Sequence, residues 1–83
     1  MRIELSAKAK KQLGRLPKNE AQKAVKKLQS LQLDPFSGKK LKGKLAGEHS
    51  LRSWPYRIIY TVNANKNLIT IEVIQHRQDS YKH

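Results

Sequence analysis

The residues best suited to take part in binding or catalysis are two arginines in the C-terminal half of the chain. Arg52 precedes the dipeptide Trp54-Pro55, and Arg57 follows it in the run PYRIIYTV. A guanidinium group presents a planar fork of donors that matches two oxygens of a phosphate. If both arginines project from one surface, they form a phosphate-binding site. The plainer alternative is a pair of solvated side chains.

The alternation of PYRIIYTV decides on which side Arg57 lies. One face of this predicted strand holds apolar and tyrosine residues, namely Tyr56, Ile58, Tyr60 and Val62. Arg57 falls on the other face, because successive side chains of a strand point to opposite sides. The segment EHSLRSW predicts a preceding strand with Arg52 opposite to Leu51 and Ser53, and LITIEVIQ predicts a following strand. Three such strands form an antiparallel meander.

The N-terminal half predicts one short strand and two helices. MRIEL reads as the strand, and Ser6 is placed to cap a first helix that ends at Pro17. We expect Asn19 to cap the second helix, which ends at Asp34-Pro35. The apolar stripes of the two helices follow helical spacing: Ala9, Leu13 and Leu16 in the first, and Ala21, Ala24, Val25, Leu28 and Leu31 in the second.

These elements predict an α+β fold. We expect a compact single domain over residues 1–83 with the order β-α-α-β-β-β, in which two antiparallel helices pack on one face of an antiparallel sheet. The opposite sheet face, which carries Arg52 and Arg57, then has no helix on it and is called the open face below.

The charge of the chain favours a polyanionic partner. Eighteen Lys and Arg against six Asp and Glu give a formal net charge of +12, which is typical of domains that bind nucleic acid. The segment FSGKKLKGKLAG predicts a loop with little structure of its own beside the sheet. We expect five basic residues to bind nucleic acid: Lys39, Lys40, Lys42, Lys44 and Arg52.

Other classes of chemistry find no support in the sequence. The chain has no cysteine, which excludes disulfides and cysteine-based zinc sites. His49, His76 and His83 lack the spacing of metal ligands, so we expect neither a metal nor a cofactor. No apolar run approaches the roughly 20 residues of a membrane span, and we expect a cytoplasmic protein without a membrane partner.

The tail HRQDSYKH carries two further candidates, Arg77 and Tyr81. Strict alternation from Ile69, Ile71 and Val73 would send Arg77 to the core face, so we expect the last strand to end or bulge before it. Tyr81 is suited to stack on a base, a contact worth roughly 1–3 kcal/mol. The alternative for Tyr81 is a tyrosine that closes one end of the core.

Three segments carry a resemblance to a known family. SAKAKKQLGRLP, LKGKLAGEHSLRSWPYRIIYTV and IQHRQDSYK resemble the RelE/ParE superfamily of toxins from toxin–antitoxin pairs, over nearly the whole chain. The resemblance implies the fold predicted above, a cognate antitoxin, and the activity of the RelE-like branch. Members of that branch are ribosome-dependent endoribonucleases that cut messenger RNA in the decoding site. ParE-like members instead inhibit DNA gyrase without catalysis, and a plain RNA-binding module is a third reading.

The resemblance also implies catalytic roles. Arg57 matches an arginine that contacts the scissile phosphate, Arg77 one that stabilises charge or protonates the leaving oxygen, and Tyr81 a tyrosine that stacks on the substrate base. The general base stays open, because Glu48 and Ser50 stand where RelE has lysines. The candidates for the base are Glu48, His49, His76 and a lysine of residues 39–44.

Overall fold

The computed structural model describes residues 1–40 and 47–76. Within these ranges the helices and strands follow in chain order: β1 (Arg2–Leu5), α1 (Ala7–Arg15), α2 (Lys18–Leu33), β2 (Lys39–Lys40), β3 (Glu48–Ser53), β4 (Tyr56–Asn63) and β5 (Leu68–His76). The predicted order β-α-α-β-β-β is confirmed, and β2 is an addition to it. No helix in the described ranges is long and apolar enough to cross a membrane.

The strands form one sheet in the order β1-β5-β4-β3-β2. As predicted, β3, β4 and β5 are an antiparallel meander, and β2 pairs antiparallel with β3. The sheet differs from the prediction at one edge, where β1 pairs parallel with β5. A parallel pair needs a long crossover, and here α1, α2 and the strands β2 to β4 supply the connection from β1 to β5.

Both helices pack on one face of the sheet, and the core lies between the two layers. The buried cluster draws on both helices and on the two central strands: Ala9, Leu28, Leu31, Ile58, Tyr60, Ile69, Ile71 and Ile74. Burial of each Leu or Ile side chain contributes roughly 1.5–3 kcal/mol. The face of β4 that was predicted to be apolar is therefore the core face, and Arg57 lies opposite.

The helix ends follow local signals, with one exception. Ser6 caps α1, since its Oγ accepts a hydrogen bond from the backbone N of Ala9 at 3.0 Å. The end of α2 before Asp34-Pro35 is also confirmed. The prediction that Asn19 caps α2 is wrong. Pro17 occupies the N-cap position with an extended ψ of 147°, so the helix begins directly after it and Asn19 lies inside the first turn.

Candidate nucleic-acid interface

Arg52 and Arg57 are direct cross-strand partners. In the register of β3 and β4, Arg52 pairs with Arg57, while Leu51 pairs with the buried Ile58. Side chains of such partners start about 4.5–5.5 Å apart at their Cβ atoms. Arg52 is exposed and Arg57 is half-buried. The structure thus brings both predicted arginines together on the open face.

The arginine pair concentrates positive charge on the open face. Within residues 1–40 and 47–76, no carboxylate forms an ion pair with either guanidinium group. Like charges directly opposite each other destabilise a sheet, on the scale of roughly 0.2–1 kcal/mol. A bound phosphate would remove this repulsion and accept hydrogen bonds from both guanidinium forks. The pair is therefore suited to bind a phosphate.

A β-bulge in β5 sets which residues of that strand share the open face. The register shifts between Ile59, which pairs with Val73, and Tyr60, which pairs with Ile71. The expectation that Val73 lies on the core face is wrong. Ile74 takes that place and is only 3% exposed. We expected β5 to end or bulge before Arg77, and the structure has a bulge at Glu72.

Two side chains of the N-terminal part support the bulge. The Ser6 hydroxyl donates a hydrogen bond to the carbonyl oxygen of Glu72 at 2.6 Å. The backbone N–H of Ile74 donates to Oε1 of Gln12 at 2.7 Å. At a bulge, backbone groups lose their hydrogen-bond partners on the neighbouring strand. Ser6 and Gln12 replace these partners for the carbonyl oxygen of Glu72 and the N–H of Ile74.

The bulge puts Gln75 beside the arginine pair. Gln75 is the β5 partner of Arg57, so a row of donors crosses three strands: Arg52, Arg57 and Gln75. Next to this row lies an apolar pair, Ile59 with Val73. Ile59 is buried, with only 8% exposed, whereas Val73 is half-buried. Val73 therefore supplies the accessible apolar surface beside the cationic row.

The far end of the open face is acidic. Glu48 pairs with Thr61 across β3 and β4, and the Thr61 hydroxyl donates to Oε1 of Glu72 at 3.3 Å. Glu48 lies four positions before Arg52, which is about 13 Å along a strand. The sequence pattern did not single out Glu72, because the bulge that places it is not visible in strict alternation.

The candidate bases do not gather at the arginine pair. His49 is 6% exposed and lies on the core face, stacked on Tyr60 at 5.2 Å between ring centroids and in edge contact with Phe36 at 5.8 Å. His76 contacts Tyr56 edge to face at 5.3 Å, at the end of β5. Of the candidates with described side chains, Glu48 shares the open face, at its acidic end.

A buried tyrosine fastens the segment that leads into the basic loop. The Tyr60 hydroxyl donates to the carbonyl oxygen of Pro35 and accepts from the backbone N of Gly38, both at 3.0 Å. Burial raises the pKa of the Tyr60 phenol; the hydrogen bond from Gly38 opposes this rise, and the charge of Asp34 adds to it. The arrangement, called the Tyr60 clasp below, holds residues 35–38 against the core.

The Tyr60 clasp corrects the prediction of an unstructured loop at its first residues. Lys39 and Lys40 form β2 and pair with Ser50 and His49. The start of the basic segment is thus registered against β3, on the edge of the sheet. Lys42, Lys44, Arg77 and Tyr81 lie outside the described residues.

Fold and site together define a small basic domain with two helices on one sheet face and a guanidinium pair on the other. Its family follows from the sequence. Residues 3–81 match the family described as ParE toxin of type II toxin-antitoxin system, parDE. The match covers nearly the whole chain, and the protein therefore belongs to this family within the RelE/ParE superfamily.

Solved structures of related toxins share the fold. The toxin–antitoxin complex RelBE2 from Mycobacterium tuberculosis has a chain with a TM-score of 0.84 and 27% identity, over 92% of this chain and 96% of that chain. The archaeal RelE-RelB complex from Pyrococcus horikoshii has a chain with a TM-score of 0.78 and 27% identity, over 92% of this chain and 93% of that chain. The YoeB-YefM complex from Staphylococcus aureus has a chain with a TM-score of 0.75 and 25% identity, over 92% of this chain and 95% of that chain. No curated protein sequence matches the chain significantly.

Proposed function

We propose that this toxin is an endoribonuclease of the cytoplasm that cuts messenger RNA in the decoding site of the ribosome. The observation that carries the proposal is the Arg52–Arg57 pair on the open face. Two guanidinium groups without a described carboxylate partner bind the charge of a phosphate, which is the group attacked in RNA cleavage. The likeness to RelE chains of two solved complexes supports the same activity.

The reaction needs little from the protein because RNA supplies its own nucleophile. The ribose 2′-hydroxyl attacks the adjacent phosphate, the bond to the 5′-oxygen of the next nucleotide breaks, and a 2′,3′-cyclic phosphate forms. Arg57 offsets the charge that builds on the pentavalent phosphate, which is commonly the largest catalytic term. DNA lacks the 2′-hydroxyl and is not a substrate for this chemistry.

The remaining roles follow the family resemblance. Arg77 stabilises charge or protonates the leaving oxygen, and Tyr81 stacks on the substrate base. Lys39, Lys40, Lys42, Lys44 and Arg52 hold the backbone of the RNA. Neither a metal nor a cofactor takes part.

Dependence on the ribosome follows from the poor supply of bases that the described side chains provide at the arginine pair. His49 is buried on the wrong face and Glu48 lies about 13 Å along the strand from Arg52. A site of this kind holds a phosphate but does little to remove the 2′-proton. The ribosome compensates by fixing the messenger in a geometry ready for in-line attack, which lowers the barrier by orientation.

An antitoxin controls the activity in this proposal. The solved relatives include complexes of RelE with RelB and of YoeB with YefM. The open face offers such a partner an arginine row and, beside it, the half-buried Val73. We expect an acidic or amphipathic segment of the cognate antitoxin to cover this face and exclude RNA from it.

A second candidate function is inhibition of DNA gyrase without catalysis. The observation in its favour is the match to a family described by its ParE toxins. On this alternative the arginine row is a protein-binding surface, and no RNA bond is broken.

One experiment separates the two functions. Messenger RNA from cells is mapped by primer extension after induction of the protein, and purified protein is assayed on programmed ribosomes and on gyrase in parallel. Cuts within translated codons, with supercoiling by gyrase unaffected, are the expected result. Loss of supercoiling with intact messenger RNA would establish the gyrase inhibitor instead. Efficient cutting of naked RNA would refute the dependence on the ribosome.

A further inference from the structure

A basic groove lies outside the open face, between α2 and the end of β3. Six residues line it: Lys23, Lys26, Lys27, Arg52, Ser53 and Trp54. Its volume is about 530 Å³, which lies within the range of ligand-binding pockets. The groove is at the sheet edge. Among the described residues, β2 pairs with His49 and Ser50 of β3, and no strand pairs with β3 beyond them on that side.

The charged residues that line the groove in the described part of the chain are all positive. Lys23, Lys26 and Lys27 are spaced i, i+3 and i+4, so they share one side of α2, and Arg52 faces them from β3. Like charges at this spacing destabilise an isolated helix. Among the described residues, no acidic side chain lines the groove. An anionic ligand in the groove would relieve this repulsion.

The groove also holds an exposed aromatic ring. Trp54 is 59% exposed and is the only tryptophan of the chain. An indole face accepts the π-face of any base, and proteins that bind single-stranded nucleic acid without sequence preference combine such rings with cationic grooves. A cationic groove with one aromatic ring therefore matches a nucleotide chain on both counts, since each nucleotide carries one charge and one ring.

We propose that this groove binds the single-stranded RNA that flanks the cleavage site. The phosphates contact the lysines of α2, and one base stacks on Trp54. Arg52 belongs both to the groove and to the pair with Arg57, so the RNA backbone passes from the open face around the edge of β3 into the groove. The inference rests on the proposed function for the identity of the RNA, but binding in the groove is measured without cleavage.

Fluorescence of Trp54 reports the groove directly because no other tryptophan contributes. A single-stranded RNA oligonucleotide added to the full chain quenches this fluorescence. The triple substitution Lys23→Gln, Lys26→Gln and Lys27→Gln abolishes the quenching at the same RNA concentration. The matched control removes three exposed lysines from α1: Lys8→Gln, Lys10→Gln and Lys11→Gln. Both variants carry the same net charge, so a general effect of charge would weaken RNA binding equally in both. Equal weakening would overturn the proposal.

The salt dependence of binding counts the phosphates in the groove. Three contacts to single-stranded RNA contribute a slope of about 2 in log affinity against log salt. Between 50 and 200 mM salt the wild type then loses about 20-fold more affinity than the α2 triple variant. Trp54→Ala lowers the affinity, followed by anisotropy of labelled RNA, by about fivefold or more without changing the slope. Equal slopes in the wild type and the α2 variant contradict the proposal.

Two further arms keep the interpretation unambiguous. If added RNA does not change the Trp54 fluorescence of the wild-type protein, RNA binding in the groove is refuted, even if no variant folds. Polyglutamate that quenches Trp54 more strongly than RNA at equal salt assigns the groove to an acidic protein and overturns the RNA site. Quenching by RNA in a protein that does not cut messenger RNA refutes the proposed function alone, and cutting without quenching refutes the groove alone.

Discussion

Gly38 has no room for a side chain, and this makes the Tyr60 clasp testable by one methyl group. A Cβ at Gly38 would lie 2.9 Å from the carbonyl oxygen of Ser50 and 2.9 Å from Cε1 of Tyr60, and closer still to the Tyr60 hydroxyl. Tyr60 is fully buried, and Ser50 belongs to β3. Neither neighbour is the free end of a flexible chain, so Gly38→Ala must displace residues 35–38.

The expected loss of stability follows from crowding and from the broken hydrogen bonds. Overpacking of this kind destabilises by about 1–3 kcal/mol, and we expect Gly38→Ala to lower the free energy of unfolding by about 2 kcal/mol. Tyr60→Phe removes two hydrogen bonds, each worth a net 0.5–1.5 kcal/mol or so, about 2 kcal/mol together. Because both changes break the same clasp, the double variant loses about 1 kcal/mol less than the sum.

Equilibrium unfolding in urea, followed by circular dichroism, measures these values from the midpoint at constant m. Gly14→Ala is the matched control, since a Cβ there meets nothing within 4 Å and Gly14 lies inside α1. We expect this control to gain about 0.5–1 kcal/mol from helix propensity. A Gly38→Ala protein as stable as the wild type, or strictly additive losses in the double variant, would refute the clasp.

Further predictions concern the same fold and its control. Burial raises the pKa of Tyr60 above its ordinary value of 10.0 in the folded state. As the pH rises above 10.0, the unfolded chain loses the phenol proton more readily than the folded chain, so the wild type loses stability relative to Tyr60→Phe. Parallel curves of stability against pH for the two proteins would contradict this. Gln12→Ala leaves the N–H of Ile74 without its acceptor and lowers the unfolding free energy by about 1–3 kcal/mol, whereas the exposed Gln22→Ala changes it little. Induction without the cognate antitoxin arrests growth, and harmless expression would count against a toxin.

The parts of the fold that were predictable are those with local periodicity. Alternation in PYRIIYTV places Arg57 opposite the core because side-chain direction in a regular strand depends on position alone. The helices are predictable for the same reason, since Leu28 and Leu31 recur at helical spacing and are buried. The arginine pair was predictable in its face, but its exact register depends on the turn at Trp54-Pro55.

The bulge was not predictable in its position, because distant groups support it. Its partners Gln12 and Ile74 are 62 positions apart, and no local pattern brings them together. One signal was available: Val73 and Ile74 are consecutive apolar residues, which breaks the alternation of β5 at that point. The bulge then decides that Gln75, and not Ile74, lies beside Arg57.

The segment 35–40 was misread for a similar reason. Lys39 and Lys40 have no strand propensity to speak of, and their pairing with β3 accompanies the hydrogen bonds of Tyr60, which lies more than 20 positions away. The start of α2 failed differently. Asn19 is a good cap by type, but Pro17 had already fixed the backbone before it.

The most direct test of the central claim is single-turnover cleavage on programmed ribosomes by Arg57→Ala. Arg57 lies on the sheet face opposite the core, so we expect this substitution to change the free energy of unfolding by no more than about 0.5 kcal/mol. The melting temperature should therefore stay close to that of the wild type. The cleavage rate should fall by about 10²–10³, as for loss of a donor to a developing oxyanion.

Two variants complete this measurement. Arg57→Lys recovers only part of the rate, because an ammonium group lacks the planar fork of donors. Arg15→Ala removes the same side chain from the exposed end of α1 and keeps the wild-type rate. Cleavage by folded Arg57→Ala at the rate of the Arg15→Ala control would remove Arg57 from the active site and contradict the account.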